Sequence, residues 1–164
     1  MPTIEEYARQ PREQRMQRLT RTADELAALV KGQSDAVLSR RPDAKNWAAT
    51  EIVCHLRDTE EVFLARLEQI VAMDVDPVHG NADADRMAEE RQYLRNAVDE
   101  ALAAFRRRRA ETLQMFGKLA PAQWEKGGIH PVRGRITIES YLTIMAWHDD
   151  NHLDQLTRAL RGEA

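Results

Sequence analysis

Four long stretches of the sequence repeat apolar residues at helical spacing, and this pattern constrains the fold more than any other feature. They run from about Arg12 to Lys31, Trp47 to Val71, Ala88 to Phe116 and Thr137 to Arg161. In each stretch, apolar side chains recur every three or four residues and therefore share one helical face. Such faces must be buried against one another, so we expect an all-α four-helix bundle.

The segments between these stretches are rich in Pro, Gly, Asp and Asn, which favours connections over further long helices. The connection from Met73 to Asp85 could extend roughly 40 Å when fully stretched, whereas a helix of about 24 residues is about 36 Å long. This connection is therefore long enough to recross the bundle. The connection from Lys118 to Ile136 is expected to fold over one end. A capping box at Thr3–Glu6 predicts a short N-terminal helix. Asn46 is the expected cap of the second long helix.

The composition indicates an ordinary globular protein. The chain has 164 residues, which suits a single domain over 1–164. Its formal net charge of -3 argues against nucleic acid as a partner, and consecutive arginines at 106–109 point in different directions on a helix. No apolar run is long enough for a membrane span, and the only cysteine, Cys54, excludes an internal disulfide. We therefore expect a cytoplasmic protein with Cys54 in the core.

Three histidines fall on predicted apolar faces. His148 and His152 are one helical turn apart, about 5–6 Å between Cβ atoms, and His55 lies at the edge of the apolar face of the second long helix. A buried imidazole needs a hydrogen-bond partner or a metal, and the spacing alone leaves both interpretations open. Three histidine ligands would leave one coordination position free, as in catalytic metal sites.

Other polar residues have weaker signals. Arg109 lies in line with the apolar face of the third helix and needs an anion or carboxylate if it is buried. Asp149 also falls on an apolar face, where it can orient a ligand histidine or pair with Arg109. His79 and His130 lie in connections and are expected to be solvated, although His130 could line the mouth of a pocket.

Several segments resemble the DinB/YfiT-like superfamily: Trp47–Leu56, Arg109–Leu113, His130–Gly134 and His148–Gln155. The resemblance covers nearly the whole chain. It implies a four-helix bundle with up-down-down-up connectivity and a homodimer. It also implies that His55, His148 and His152 bind a divalent metal, with zinc or nickel preferred.

The resemblance further implies an enzyme acting on a small molecule. The leading hypothesis is a metal-dependent transferase that presents a low-molecular-weight thiol to an electrophilic substrate, with Arg109 or loop residues holding an anionic group. The first alternative is a metal-dependent hydrolase in which Glu51 acts as general base or orients a ligand. The second is a noncatalytic stress-response module that binds metal.

Overall fold

Four long helices dominate the computed structural model, which describes residues 2–164. They are α2 (Arg12–Val30), α4 (Ala49–Ala72), α6 (Val98–Gly117) and α7 (Ile138–Arg161). The shorter elements are α1 (Ile4–Ala8), α3 (Asp35–Leu38), α5 (Ala84–Glu90), 3₁₀ turns at Tyr93–Arg95 and Pro121–Glu125, and the strands β1 (Gly127–His130) and β2 (Gly134–Thr137). The predicted four-helix bundle is confirmed. None of the helices in residues 2–164 has the length and apolarity needed to cross a membrane.

Contacts between the long helices establish their directions. Helices α2 and α7 run parallel, α4 runs antiparallel to α7, and α6 runs antiparallel to α2. The pairs that show this are Arg12–Glu139 and Thr22–Asp149 for α2 with α7, His55–His148 and Phe63–Tyr141 for α4 with α7, and Arg106–Asp24 and Arg109–Leu19 for α6 with α2. The order is therefore up-down-down-up, as the resemblance implied.

The third predicted helix, Ala88 to Phe116, is interrupted in the structure. Helix α5 ends at Glu90, Gln92 adopts a left-handed conformation with φ of 47°, and α6 begins only at Val98. Tyr93, which is 1% exposed, is buried against the first half of α4. Because α4 and α6 are parallel, the chain must travel the length of the bundle between them, and residues 73–97 do so rather than residues 73–85 alone.

Side-chain hydrogen bonds to backbone N–H groups cap the N-terminal ends of several helices. The predicted capping box at Thr3–Glu6 is present, and Thr137 caps α7 by accepting a hydrogen bond from the Ser140 N–H at 3.1 Å. The expected Asn46 cap is wrong, because its side-chain amide donates to Asp43 at 2.9 Å. Instead α4 begins after Ala48, whose N–H donates to the Glu51 carboxylate at 2.9 Å.

A small hairpin inside the last connection was not predicted. Strands β1 and β2 pair antiparallel, with Gly127 opposite Thr137 and His130 opposite Gly134. The other edge of β1 binds the chain that follows α4, since the Ile129 N–H donates to the Pro77 carbonyl at 2.8 Å and the His79 N–H to the Ile129 carbonyl at 3.0 Å. The two long connections therefore meet beside the end of α4.

The core consists of two apolar halves separated by buried polar side chains. One half contains Leu26, Ile52, Leu56, Phe105 and Leu156, and the other contains Leu67, Phe116, Tyr141, Leu142 and Met145. Between them lies a polar layer formed by Thr22, Glu60, Arg109, Thr112 and Asp149, all at most 3% exposed. Each long helix contributes to this layer.

Gly127 allows the hairpin strands to approach closely, so we expect Gly127→Ala to destabilise the protein. A Cβ atom there would lie 2.8 Å from the Ile136 carbonyl oxygen, which the backbone can relieve only by moving. We expect a loss of about 1–3 kcal/mol in the free energy of unfolding, measured with urea. Gly117→Ala is the control, because its Cβ would meet nothing within 4 Å. Equal stabilities of the two variants would contradict this account of the hairpin.

Candidate metal centre

His55, His148 and His152 come together between α4 and α7. One nitrogen from each ring lies within 4.8 Å of the other two, and the Nε2 atoms of His55 and His148 are 3.1 Å apart. Antiparallel packing brings His55 opposite α7, and the one-turn spacing of His148 and His152 places both on the same side. The structure thus brings the three predicted ligands to one point.

Neighbouring side chains orient the three rings. The Trp47 ring lies 4.9 Å from that of His55, and the Phe63 ring lies 5.8 Å from that of His148. The Gln155 side-chain oxygen is 2.7 Å from His152 Nδ1, so that nitrogen donates a hydrogen bond. The Nε2 lone pair of His152 is therefore free for a metal, an arrangement typical of metal-binding histidines.

The environment keeps the histidines neutral. Burial and, secondly, the nearby His152 lower the pKa of His55 to about 3. Burial is also the main cause of the lowered pKa values of His148 and His152. At neutral pH each ring therefore presents a lone pair rather than a second N–H.

These donors fit a divalent transition metal. Metal–imidazole bonds of about 2.0–2.1 Å in a tetrahedral arrangement separate two ligand nitrogens by roughly 3.4 Å. The Nε2 atoms of His55 and His148 are 3.1 Å apart, close to that value. Three neutral nitrogen donors suit zinc and nickel alike.

A cavity of about 340 Å³ opens beside two of the histidines, His55 and His148. Its walls are mainly apolar, and its polar lining comes from both long connections as well as α4. The apolar members are Val62, Phe63, Met87, Ile144 and Trp147, and the polar ones include Thr59, Arg66, Asn81, His130 and Arg133. The volume falls in the range of small-molecule sites. His130 was expected to be solvated, with the mouth of a pocket as the alternative; it is half-buried and lines this cavity.

The polar layer lies directly behind the histidines. Arg109 Nη2 donates to Glu60 at 2.8 Å and to Asp149 at 3.0 Å, and Nη1 donates to the Leu19 carbonyl at 3.1 Å. Thr112 donates to Glu60 at 2.6 Å. Arg109 thus connects α2, α4, α6 and α7 in one buried network.

This network sets the position of α7. Burial lowers the pKa of Arg109, but the charges of Asp149 and Glu60 outweigh it and raise the pKa above its ordinary value, so Arg109 is charged. Asp149 follows His148 directly and precedes His152 by three residues. Its bonds to Arg109 therefore limit rotation of the turn that carries both histidines.

The sequence model of the DinB superfamily matches residues 18–156. The chain belongs to the DinB superfamily. Two curated relatives have similar sequences. YuaE of Bacillus subtilis is 23% identical, with 77% of this chain and 85% of YuaE covered. OB0413 of Oceanobacillus iheyensis, named "Putative metal-dependent hydrolase", is 22% identical, with 82% of this chain and 77% of OB0413 covered.

A solved structure of the same architecture is YfiT from Bacillus subtilis, described as a probable metal-dependent hydrolase with an unusual four-helix bundle topology. It superposes with a TM-score of 0.85 over 93% of this DinB-superfamily chain and 89% of YfiT, at 20% sequence identity. At this identity, the likeness establishes the fold.

Three further predicted site residues of this DinB-superfamily protein have structural partners. Both carboxylate oxygens of Glu51 bind Arg41, and one of them also accepts the Ala48 N–H. Arg109 and Asp149 bind each other within the polar layer. None of the three lines the cavity. Their participation in chemistry stays a prediction, and the geometry shows them holding helices in place.

The degree of burial of His79 and of Cys54 was also predicted from the sequence. His79 was expected to be solvated, which is wrong: it is 5% exposed, because its backbone pairs with β1 and its ring is buried beneath the hairpin. Cys54 is fully buried, as expected for a core residue, and burial raises the pKa of its thiol to about 11.

Arg66 and Arg133 line the cavity but were not predicted from the sequence to do so. Arg66 had a detectable signal, since it lies three residues after Phe63 and four before Ile70, on the apolar face of α4. Arg133 lies in the segment His130–Gly134 that resembles the superfamily, but its position at the cavity depends on the unpredicted hairpin.

We expect the protein, purified without an affinity tag, to contain a single divalent ion per chain that is lost in His152→Ala. Gln155→Ala should weaken metal affinity by about 10–100-fold, because it removes the partner that orients His152. Elemental analysis and competition with a chelator measure both effects. Asn151→Ala is the control on the same turn, since the Asn151 side chain donates to the Trp147 carbonyl instead. Wild-type metal content in His152→Ala would refute the triad.

Arg109→Met should lower the free energy of unfolding by about 3–5 kcal/mol, because Glu60 and Asp149 would remain buried without their cation. Arg108→Met is the control: its ion pair with Glu111 is on the surface and contributes about 0–1 kcal/mol. Urea unfolding followed by circular dichroism compares the two. A loss in Arg109→Met no larger than that of the control would show that the layer is not a structural element.

Proposed function

We propose that this protein is a metal-dependent hydrolase acting on an ester or amide bond of a small molecule. The observation that carries the proposal is the convergence of three neutral imidazoles, two of which, His55 and His148, line a cavity of about 340 Å³. The hydrolase descriptions of OB0413 and YfiT support the same reaction class.

His55, His148 and His152 would hold the ion. A divalent cation there would lower the pKa of a coordinated water and polarise a substrate carbonyl. The apolar walls formed by Phe63 and Trp147 would limit the access of bulk water, which strengthens electrostatic interactions inside the cavity.

His130 can act as a hydrogen-bond donor to the substrate. Its Nδ1 accepts the backbone N–H groups of Val132 at 3.1 Å and Arg133 at 3.3 Å, so the ring proton of the neutral form is on Nε2. A donor on the cavity lining can stabilise negative charge that develops on a carbonyl or leaving-group oxygen.

In this reaction the oxygen of water bonds to the carbonyl carbon, and the bond from that carbon to the leaving oxygen or nitrogen breaks. One proton of the water ends on the leaving group, and the other is released from the new carboxylic acid. Glu51 as general base remains part of the proposal, and Glu51→Gln tests it. A variant that keeps its fold but loses hydrolysis would support that role, and full activity would remove it.

Two other functions predicted from the sequence use the same histidines. A thiol transferase would bind the thiol cofactor at the ion, and a noncatalytic module would bind the ion alone. We favour hydrolysis because the cavity provides room for a substrate and because OB0413 and YfiT are both described as hydrolases. A homodimer in the cytoplasm remains an expectation.

The test is hydrolysis of a panel of p-nitrophenyl esters and anilides. We expect release of product that stops with a chelator, returns with added zinc or nickel, and is absent in His55→Ala. A parallel assay offers common bacterial thiols with a chromogenic electrophile. Chelator-sensitive conjugation without hydrolysis would replace the proposal with thiol transfer. Failure of both reactions in metal-loaded protein would favour the noncatalytic module.

A further inference from the structure

Four arginines are buried in the structure, and one of them differs from the rest. Arg15 pairs with Glu139, Arg18 with Glu25 and Asp150, and Arg109 with Glu60 and Asp149. Arg66 is 8% exposed, and no carboxylate of residues 2–164 lies within 4.0 Å of its guanidinium. It is therefore the buried arginine of the described chain that lacks a carboxylate partner.

The partners of Arg66 within residues 2–164 do not neutralise its charge. Its Nη2 donates to the Gly80 carbonyl at 2.7 Å, which is an uncharged partner. A largely buried charge without a counterion is unfavourable, and a bound anion would provide the missing counterion. The side chain lines the same cavity as His55 and His148, where an anion can reach it.

The other charged residue of the cavity lining, Arg133, has the same sign of charge. Arg133 lines the cavity from the hairpin turn, and His130 lines it as well. Burial is the main cause of the lowered pKa of His130, and the positive charges of Arg66 and then Arg133 add to it. No Asp or Glu of residues 2–164 lines the cavity. This charge distribution favours an anionic over a cationic organic ligand in the part of the cavity lined by Arg66 and Arg133.

The position of Arg66 relative to the histidines limits the ligand. His55, Thr59, Val62 and Arg66 all line the cavity and follow one face of α4. The rise from His55 to Arg66 is about 16 Å along the helix axis. A ligand that contacts both the histidines and Arg66 must therefore be elongated.

We infer that the substrate carries an oxyanion, a carboxylate or phosphate, at the end remote from the scissile bond, and that Arg66 binds it with help from Arg133. Because it describes the substrate of the proposed hydrolysis, this inference rests on the proposed function. Arginine suits this task because its planar guanidinium donates two parallel hydrogen bonds to an oxyanion.

The test compares p-nitrophenyl monoesters of dicarboxylic acids of increasing chain length with the uncharged esters of equal length. We expect metal-loaded wild-type protein to prefer the charged ester at one or more lengths. The ratio of kcat/KM for charged over uncharged ester should fall about ten- to hundredfold in Arg66→Gln, mainly through KM. Glutamine keeps a polar side chain with N–H donors but removes the charge. The ratio should be unchanged in Arg107→Gln, an exposed arginine outside the cavity.

Binding measurements separate this inference from the hydrolase proposal. Calorimetry on chelator-treated protein measures the binding of adipate and, separately, of inorganic phosphate. Comparing the two affinities distinguishes a carboxylate site from a phosphate site. We expect at least one of them to bind wild type and Arg107→Gln, and binding to be lost in Arg66→Gln with its circular dichroism unchanged. If no ester is hydrolysed but anions bind in an Arg66-dependent manner, the proposed hydrolysis is wrong and the proposed anion site is supported.

Two results would overturn the anion site: no binding of either anion together with no preference for charged esters, or a preference that persists in Arg66→Gln. Should Arg66→Gln fail to fold, Arg133→Gln changes an exposed residue and must still reduce the ratio or the affinity. An unchanged ratio and affinity in Arg133→Gln would then count as the overturning result.

Discussion

The buried ion network around Arg109 is the interaction on which the rest of the structure depends. One guanidinium binds Glu60 of α4, Asp149 of α7 and the Leu19 carbonyl of α2, while belonging itself to α6. Unpaired buried charges are costly, so these partners must stay together whenever the bundle is folded. Apolar contacts alone would tolerate small rotations and shifts of the helices, whereas this network does not.

The candidate metal centre benefits directly from that constraint. His148 and His152 flank Asp149 on α7, and His55 lies on α4 just over one turn before Glu60. The network therefore fixes α4 and α7 relative to each other close to the three histidines. The aromatic rings of Trp47 and Phe63 in addition pack against the rings of His55 and His148. A rigid polar layer behind the ligands and an open cavity before them combine preorganisation with access, which a catalytic site needs.

Charge is arranged differently on the two sides of the histidines. Behind them, two carboxylates share one arginine, and a formal excess of negative charge lies near the position of a metal cation. In front of them, Arg66 and Arg133 line the cavity without a carboxylate. The first arrangement favours a bound cation, and the second favours an anionic ligand beside it. Both follow from where the folded chain places each charged residue.

The sequence by itself determined four long helical stretches, the capping box at Thr3–Glu6 that begins the short α1, and the three candidate ligands, because helical periodicity and spacing are local properties that need no knowledge of neighbours. Only the tertiary structure decided how Glu51, Arg66 and His79 are used. Glu51 became a helix cap paired with Arg41, His79 was buried by pairing with the unpredicted hairpin, and Arg66 faced a cavity formed by two distant connections. The pairing of Glu51 with Arg41, the burial of His79 and the cavity at Arg66 depend on contacts between separate segments of the chain, which helical periodicity alone does not encode.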